Sequence, residues 1–290
     1  MIKKPFLTLL LTVVCLNTAL LSQQMLWKVK GNYGGNVYIL GSIHMGKADL
    51  YPLSKEINDA FNASNYLVLE AKLNAQAKLI MQEALYDKGK LDRYDTLANH
   101  ISESLYVLVQ DKLKMLKLPK NSMDDFKPWV VALNIASLEM SKLGYSSTFG
   151  IDHHFWHKAH QLNKPVFSME GATIQAAFLS KDNEVFQEQL LSMQIDTLHE
   201  KSEIEEVFIK WQEGNDSYFV DDVMAGFDLY DEVKKVMLTD RNIYMTKKIK
   251  RYMDNKKGRS YFVVVGVSHL LGKEGVIEQL KTEDINITRY

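Results

Sequence analysis

Short apolar runs bounded by turn residues predict the strands of this chain. Two of these runs flank the turn-rich stretch GNYGG and predict a hairpin. The run YFVVV (261–265) is uninterrupted and rich in β-branched and aromatic residues, which is typical of a strand buried on both faces of a sheet. The predicted strands cover residues 27–29, 37–40, 66–69, 165–168, 261–265 and 285–288.

Between these strands, apolar residues recur with helical spacing. Asp125 is expected to cap one helix, with Pro128 in its first turn. Gly214 predicts a helix stop and is followed by a new cap. The predicted helices cover residues 75–87, 97–116, 125–143, 151–162, 183–212 and 217–253, the last two with breaks. The pattern therefore predicts an α/β fold: a central mixed sheet with strands from both ends of the chain, and a large helical middle region.

The first 22 residues have a different character. Lys3 and Lys4 precede an apolar run of about 16 residues, which is shorter than the roughly 20 that span a bilayer, and Ser22 offers a cleavage point. This pattern predicts a secretory signal peptide over residues 1–22, followed by a single domain over residues 23–290. We therefore expect an exported protein, periplasmic or extracellular, that meets the membrane only through the signal segment if it stays uncleaved.

Composition and motifs exclude several kinds of chemistry. The formal net charge of −1 gives no argument for a nucleic-acid partner. The only cysteine, Cys15, lies inside the predicted signal peptide, so cysteine catalysis and cysteine ligation are excluded after cleavage. The sequence contains no HExxH motif, no Gly-x-Ser-x-Gly elbow and no phosphate loop.

Two predicted strands run into the same motif, Gly-x-x-His followed by a further Gly and Lys: LGSIHMGK (40–47) and VGVSHLLGK (265–273). Ligands of open α/β sheets bind beyond the carboxyl ends of strands, which is where His44 and His269 are expected. Two other predicted strands run into Glu70 and Glu170. These four residues suit a metal cage or an acid–base set. Alternatively, each histidine is a cap or core residue, and each glutamate simply leads the chain into water.

These segments, in this order, resemble the TraB/GumN family, whose eukaryotic relatives include the Tiki membrane proteases. The resemblance covers most of the chain after the signal segment and rests on LGSIHMG, Glu70, GID (150–152), KPVFSMEG (164–171), RN (241–242) and VVVGVSHLLGKEGV (263–276). It implies a fold similar to that of the erythromycin esterases and the ChaN-like haem-binding proteins. It also implies a metal-dependent hydrolase, with proteolysis reported for the Tiki branch.

The resemblance also implies roles for individual residues. His44, Glu70 and His269 are expected to hold a divalent metal ion (Mn, Co or Zn). Glu170 is expected to act as general base, Arg241 to stabilise an oxyanion and Asn242 to orient the substrate. The expected function is an exported metal-dependent hydrolase, above all a peptidase, acting on a peptide or small-molecule substrate. The alternative is an exported haem- or metal-binding protein without turnover, in which the same histidines are axial haem ligands.

The densest group of histidines lies in GIDHHFWHKAH (150–160). On a helix with about 100° per residue, three of them share one face, opposite the apolar face: His153, His157 and His160. We expect this face to lie in water, with a surface metal site as the alternative. Asp152, at the start of the same helix, is expected to act as a helix cap or as a partner of a metal ligand.

Overall fold

The computed structural model describes residues 23–196 and 200–290. The predicted signal peptide and Cys15 lie outside the described residues. Six strands form one sheet: β1 (Leu26–Lys30), β2 (Asn36–Ser42), β3 (Tyr66–Leu69), β4 (Val166–Ser168), β5 (Tyr261–Gly266) and β6 (Ile287–Arg289). Every predicted strand is present, with bounds shifted by a few residues at most.

The sheet is mixed, and its strand order is β4-β3-β5-β2-β1-β6. β1 pairs antiparallel with β2, as the predicted hairpin requires, and also with β6. The four strands β4, β3, β5 and β2 run parallel to one another. Strands from the two ends of the chain therefore meet at the centre of the sheet, which confirms the predicted fold class.

β5 is the central strand of the parallel part. All five residues of YFVVV are buried, and its valines are fully so, as the uninterrupted apolar run predicts. On one face, Phe262 packs against Phe61 and Phe155, with ring centroids 5.5 and 4.8 Å away. These contacts fix the position of the strand whose carboxyl end carries the second Gly-x-x-His motif.

The described residues also form α-helices: α1 (Lys55–Ala63), α2 (Ala75–Glu83), α3 (Glu103–Met115), α4 (Pro128–Lys142), α5 (Ile151–Gln161), α6 (Ala172–Leu179), α7 (Glu184–Asp196), α8 (Lys201–Gln212), α9 (Asp216–Tyr218), α10 (Asp231–Lys234), α11 (Asp240–Met253) and α12 (Val276–Thr282). The sequence pattern did not predict α1, α6 or α12. The predicted span 217–253 is broken into several short pieces before α11 begins.

The predicted helix caps have different outcomes. The cap at Asp125 is wrong: α4 begins at Pro128, and no side chain caps it. The predicted helix stop is present: α8 ends shortly before Gly214, whose φ is +65°. Asn215 then caps the next segment, because its Oδ1 accepts a hydrogen bond from the backbone N–H of Tyr218 at 3.0 Å.

Two apolar cores form in the described residues. The first surrounds the sheet and includes Phe61, Phe155 and Phe262. The second joins α3, α4 and α7 and includes Trp129 and Phe186. A large cavity lies between them, because its lining takes residues from both cores. None of the described helices has the length and apolar character needed to cross a membrane.

Candidate functional site

The site lies where four neighbouring parallel strands end at the same edge of the sheet. In the order β4, β3, β5, β2, these strands lead to Glu170, Glu70, His269 and His44. Parallel strands present their carboxyl ends at one edge, so residues far apart in sequence meet there. Arg241 joins them from the first turn of α11, which packs beside β2.

Glu70 is at the centre of this group and is almost fully buried. Its Oε2 lies 3.8 Å from Nε2 of His44 and 3.9 Å from Nε2 of His269. The same oxygen accepts a hydrogen bond from the backbone N–H of Gly266 at 3.2 Å. One carboxylate oxygen therefore faces the Nε2 atoms of both motif histidines.

Arg241 neutralises the two glutamates. Its Nη2 donates to Oε1 of Glu70 and, at 2.8 Å, to Oε2 of Glu170, while its Nε donates to Oε1 of Glu170 at 2.9 Å. Gln175 of α6 adds weaker contacts to Glu70 Oε1 and Glu170 Oε2, at 3.2 and 3.4 Å. Arg241 and Glu170 are buried, and such a buried cluster is stable only with its charges paired.

His269 is held by Asn242. The Nδ2 of Asn242 donates to the carbonyl of Glu274 at 2.9 Å, which turns the amide Oδ1 toward His269. Nδ1 of His269 donates to that oxygen at 2.7 Å. The proton of the neutral ring therefore sits on Nδ1, and the lone pair of Nε2 points toward Glu70.

His44 has a similar arrangement with a carboxylate. Its Nδ1 lies 3.5 Å from Oδ1 of Asp152, and the side chain of His44 is 57% exposed. Among the described residues, that buried carboxylate oxygen has no hydrogen-bond partner. Asp152 is in the first turn of α5 after the N-cap Gly150, so the predicted partner role fits its position and the predicted cap does not. A side chain at Gly150 would collide with the carbonyl oxygen of His44, so glycine is required for this close approach.

Gly266 leaves a small space open between the side chains of His44, His269 and Glu70. Its φ of −51° and ψ of 135° suit any residue, so the backbone does not require glycine here. A Cβ at this position would lie 3.5 Å from His44 Nε2, 3.5 Å from His269 Cδ2 and 3.7 Å from Glu70 Oε2. The glycine therefore keeps a small volume free where the two histidines and Glu70 converge.

His44, His269 and Glu70 have pKa values that are shifted in different directions. Partial desolvation lowers the pKa of His44, but the neighbouring carboxylates of Asp152 and Glu70 outweigh this and raise the pKa to about 9. For His269, burial dominates and lowers the pKa to about 4. Burial alone would raise the pKa of Glu70, yet electrostatic interaction with the neighbouring His269, Arg241 and His44 holds it well below its usual range.

The predicted site residues fall into two groups. The cavity, of 610 Å³, is lined by His44, Glu70, Arg241 and His269 among others. Glu170 and Asn242 do not line it, and both are about 1% exposed. These contacts do not favour the roles expected for the two residues, because both oxygens of Glu170 bind Arg241 and both ends of the Asn242 amide bind protein. They lie behind the site and position the residues that line it.

The donor atoms suit a metal ion in kind, although no ready-made cluster is present. Within residues 23–196 and 200–290, no group of three or more His, Cys, Asp or Glu side chains is already spaced so that it could hold a metal ion. The Nε2 atoms of two histidines nevertheless lie near one carboxylate oxygen of Glu70, with free volume at Gly266 between them. Imidazole nitrogens and carboxylate oxygens are the kinds of donor that a divalent ion uses. The chemistry of the donor set therefore fits a metal ion.

The histidine-rich helix α5 contributes little to the site. His157 and His160 are exposed, as predicted for the polar face. His153 is half-buried and lines the cavity. His154 stacks on Tyr51, with ring centroids 4.6 Å apart. The sequence pattern therefore placed most of this face correctly and missed the contact of His153 with the cavity.

His154 is expected to make the fold sensitive to acid. Burial, and then the charges of Lys158 and His157, lower its pKa to about 4, against about 6.5 in an unfolded chain. Because the unfolded state takes up the proton first, stability is full above pH ~6.5 and falls as the pH drops toward 4. We expect His154→Phe, which can still stack on Tyr51, to reduce the loss of unfolding free energy between pH 7 and pH 4.5 in urea titrations.

The control for this prediction is His160→Phe, which removes an exposed histidine from the same helix that is not among the groups acting on the pKa of His154. It should leave the acid sensitivity as in the unchanged protein. Equal pH dependence in the His154→Phe variant and the unchanged protein would show that the ring carries no such penalty.

Two polar residues at the cavity escaped the sequence pattern. Gln175 lies on α6, a helix that was not predicted, so no signal marked it. Ser42 lines the cavity from the last position of β2, and its buried hydroxyl has no hydrogen-bond partner in the part of the chain that the structure describes. Its place inside the Gly-x-x-His motif was the available signal, since it pairs in register with Gly266.

Comparisons with known proteins agree with the motifs. A model of the TraB/PrgY/gumN family matches residues 25–289. The protein YbaP of Escherichia coli K12 is 25% identical over 257 residues, which is 84% of this chain and 87% of YbaP. YbaP of Shigella flexneri gives the same figures. No solved structure gives a significant match.

Proposed function

This chain belongs to the TraB/PrgY/gumN family, and from that premise we propose that it is a metal-dependent hydrolase, most specifically a peptidase. The observation that supports this best is the convergence of two histidine Nε2 atoms on one oxygen of Glu70, at 3.8 and 3.9 Å. Each histidine presents its Nδ1 to a second oxygen, on Asp152 or Asn242. Paired histidines with such partners and a shared carboxylate are typical of catalytic metal sites.

In this proposal His44, His269 and Glu70 hold the metal ion. A bound divalent ion would polarise a substrate carbonyl and make a water molecule more acidic. Metal ligation needs the neutral form of His44, whose pKa is raised to about 9, so binding at neutral pH displaces its proton. His269 is already neutral and already oriented by Asn242.

The surrounding residues keep Glu70 and the histidines in place. Arg241 binds one oxygen of Glu70 and leaves the other to face the histidines. Glu170 holds Arg241 through two hydrogen bonds, so we assign it a positioning role in place of the expected general base. Arg241 lines the cavity, so its guanidinium can still contact a substrate oxygen, as the sequence led us to expect.

A hydrolysis screen tests the proposal. The full chain is first freed of metal by a chelator. It is then incubated with a mixed peptide library, in separate reactions without metal and with Mn²⁺, Co²⁺ or Zn²⁺. We expect cleavage only with added metal and none in His269→Ala. Cleavage that persists in excess chelator would rule out the metal-dependent form of the proposal, and absence of cleavage with every metal would rule out the peptidase.

Asn242 offers a more specific test of the metal site. Asn242→Leu removes the acceptor of the His269 Nδ1 proton, so the ring loses its fixed tautomer. We expect metal affinity to fall by about 10–100-fold, as for other partners of metal ligands. Asn242→Asp keeps an acceptor oxygen and should recover most of the loss. Calorimetric titration of metal into each variant measures this, and equal affinities for all three proteins would contradict the orienting role.

A second candidate function is binding of haem or a metal without turnover. The observation that favours it is the large cavity next to two histidines, since an apolar pocket with histidine ligands suits haem. A visible absorption band on addition of haem, lost in His44→Ala and His269→Ala, together with absence of hydrolysis under every metal, would support this candidate over the hydrolase.

Export of the protein is part of the same proposal. The amino-terminal pattern of Lys3, Lys4 and a short apolar run supports a cleaved signal and a periplasmic or extracellular location. Cell fractionation and amino-terminal sequencing of the isolated protein test this. A chain that retains Met1 in the cytoplasmic fraction would contradict it.

A further inference from the structure

The cavity has two chemically different ends. The charged side chains in its lining lie at the strand-end side and include Glu70, Arg241 and the motif histidines. The rest of the lining is formed mainly by apolar residues of the helical middle region, and it begins next to Arg241. We call this part the apolar chamber and define it by Leu133, Phe178, Met193, Phe227 and Met237. All five are only half-buried, because they border the cavity.

The chamber suits an uncharged group. Arg241 borders it, with Cζ 6.0 Å from the centre of the Phe178 ring, and Glu70 and Glu170 already bind the guanidinium. A charged ligand group in the chamber would lose its hydration without gaining a partner, whereas an apolar group gains by leaving water. The volume of 610 Å³ is within the range of about 300–1,000 Å³ that small-ligand sites occupy.

A main-chain amide fits the boundary between the two ends. Ser42 lines the cavity beside Gly266, it is 2% exposed, and its hydroxyl has no partner in the described structure. A hydroxyl both donates and accepts hydrogen bonds. A peptide main chain offers a carbonyl and an N–H to such a group, whereas the ester of a fatty acid offers acceptors alone.

Resting on the proposed hydrolase function, we propose that the substrate is a peptide with a bulky apolar side chain next to the bond that is cleaved. The chamber holds this side chain, and the amide carbonyl lies between His44, His269 and Arg241. The chamber thereby determines specificity, and the strand-end residues determine chemistry.

A peptide series on the full chain tests this specificity. The peptides differ only at the residue before the cleaved bond, which is Phe, Leu, Ala, Lys or Asp. We expect kcat/KM for Phe and Leu to exceed that for Ala by about 10–100-fold, with Lys and Asp lower still. Equal values across the series, or a preference for Lys or Asp, would overturn the proposal.

Binding to the chamber is measured separately from turnover, so that the two proposals fail in different ways. The neutral fluorescent dye phenylnaphthylamine is titrated into metal-free protein, where it should bind and be displaced by acetyl-Phe-Leu-amide but not by acetyl-Ala-Ala-amide. Absence of hydrolysis with this displacement intact would refute the proposed function alone. Absence of displacement by the apolar peptide, or displacement by lauric acid alone, would refute the peptide-binding chamber.

A matched pair of variants locates the binding. Leu133→Trp places a larger side chain in the chamber, and Leu79→Trp makes the same change at an exposed site of α2. We expect dye affinity to fall by at least about tenfold in Leu133→Trp and to be unchanged in Leu79→Trp. Circular dichroism checks that both fold. Equal dye affinity in the two folded variants would place the dye elsewhere.

Discussion

Replacement of Arg241 by methionine is expected to lower the free energy of unfolding by about 3–5 kcal/mol. Arg241 is buried and binds both Glu70 and Glu170, which are themselves buried. Without its charge, two buried carboxylates lose the cation that they share. Removal of one partner from a buried ion pair lowers the free energy of unfolding this strongly because the remaining charges are left buried without a partner.

Urea unfolding of the metal-free protein measures this loss. Arg251→Met is the matched control, because Arg251 is on the same helix and exposed. Addition of Glu170→Gln to the Arg241→Met variant should recover part of the stability, since it removes one unpaired charge. A loss of less than about 1 kcal/mol in Arg241→Met, similar to that of a surface change, would contradict the buried network.

Gly266→Ala is expected to leave the fold intact and to reduce metal affinity and hydrolysis by about 100-fold. The backbone at Gly266 allows alanine, so the free energy of unfolding should change by less than about 1 kcal/mol. The added methyl group would lie 3.5 Å from His44 Nε2 and 3.7 Å from Glu70 Oε2. It therefore fills the space that an ion or a reacting atom would use.

This variant separates function from stability, which most substitutions at a buried site do not. Gly226→Ala is the matched control, because a Cβ there meets no atom within 4 Å. Thermal unfolding, metal titration and hydrolysis are measured on both variants. Full metal affinity and full hydrolysis in a folded Gly266→Ala protein would show that the chemistry takes place elsewhere.

The sheet could be predicted from sequence because its strands are short, apolar and bounded by turn residues. YFVVV is the clearest case: all its residues are buried at the centre of the sheet, where burial and β-propensity favour the same conformation. The helices were less predictable. α6 and α12 have only eight and seven residues and follow directly after strand-end loops, so too few turns are available for a periodic pattern.

The position of the site could also be predicted, because parallel strands bring their carboxyl ends to one edge. That rule placed His44, Glu70, Glu170 and His269 near each other. It could not distinguish Glu70, which faces the cavity, from Glu170, which faces Arg241 behind it. Each follows an apolar strand directly, and only the packing of α11 decides which carboxylate is covered.

Asn242 shows the same limit for a helix. Its neighbour Arg241 lies among apolar residues at helical spacing, where an arginine either reaches for water or binds a buried anion. The structure gives the buried anion. The direction of Asn242 depends on the carbonyl of Glu274 and on His269, which come from a distant part of the chain. Sequence spacing along α11 contains no information about these partners.

In the proposed site, His44, His269 and Glu70 together would hold one functional metal ion. Metal content per chain, measured by mass spectrometry after equilibration with Mn²⁺, Co²⁺ or Zn²⁺ and removal of free ion, tests it most directly. We predict about one ion per chain in the unchanged protein and in His157→Ala/His160→Ala, and none in His44→Ala/His269→Ala. A full equivalent of metal in the folded His44→Ala/His269→Ala protein would contradict the account.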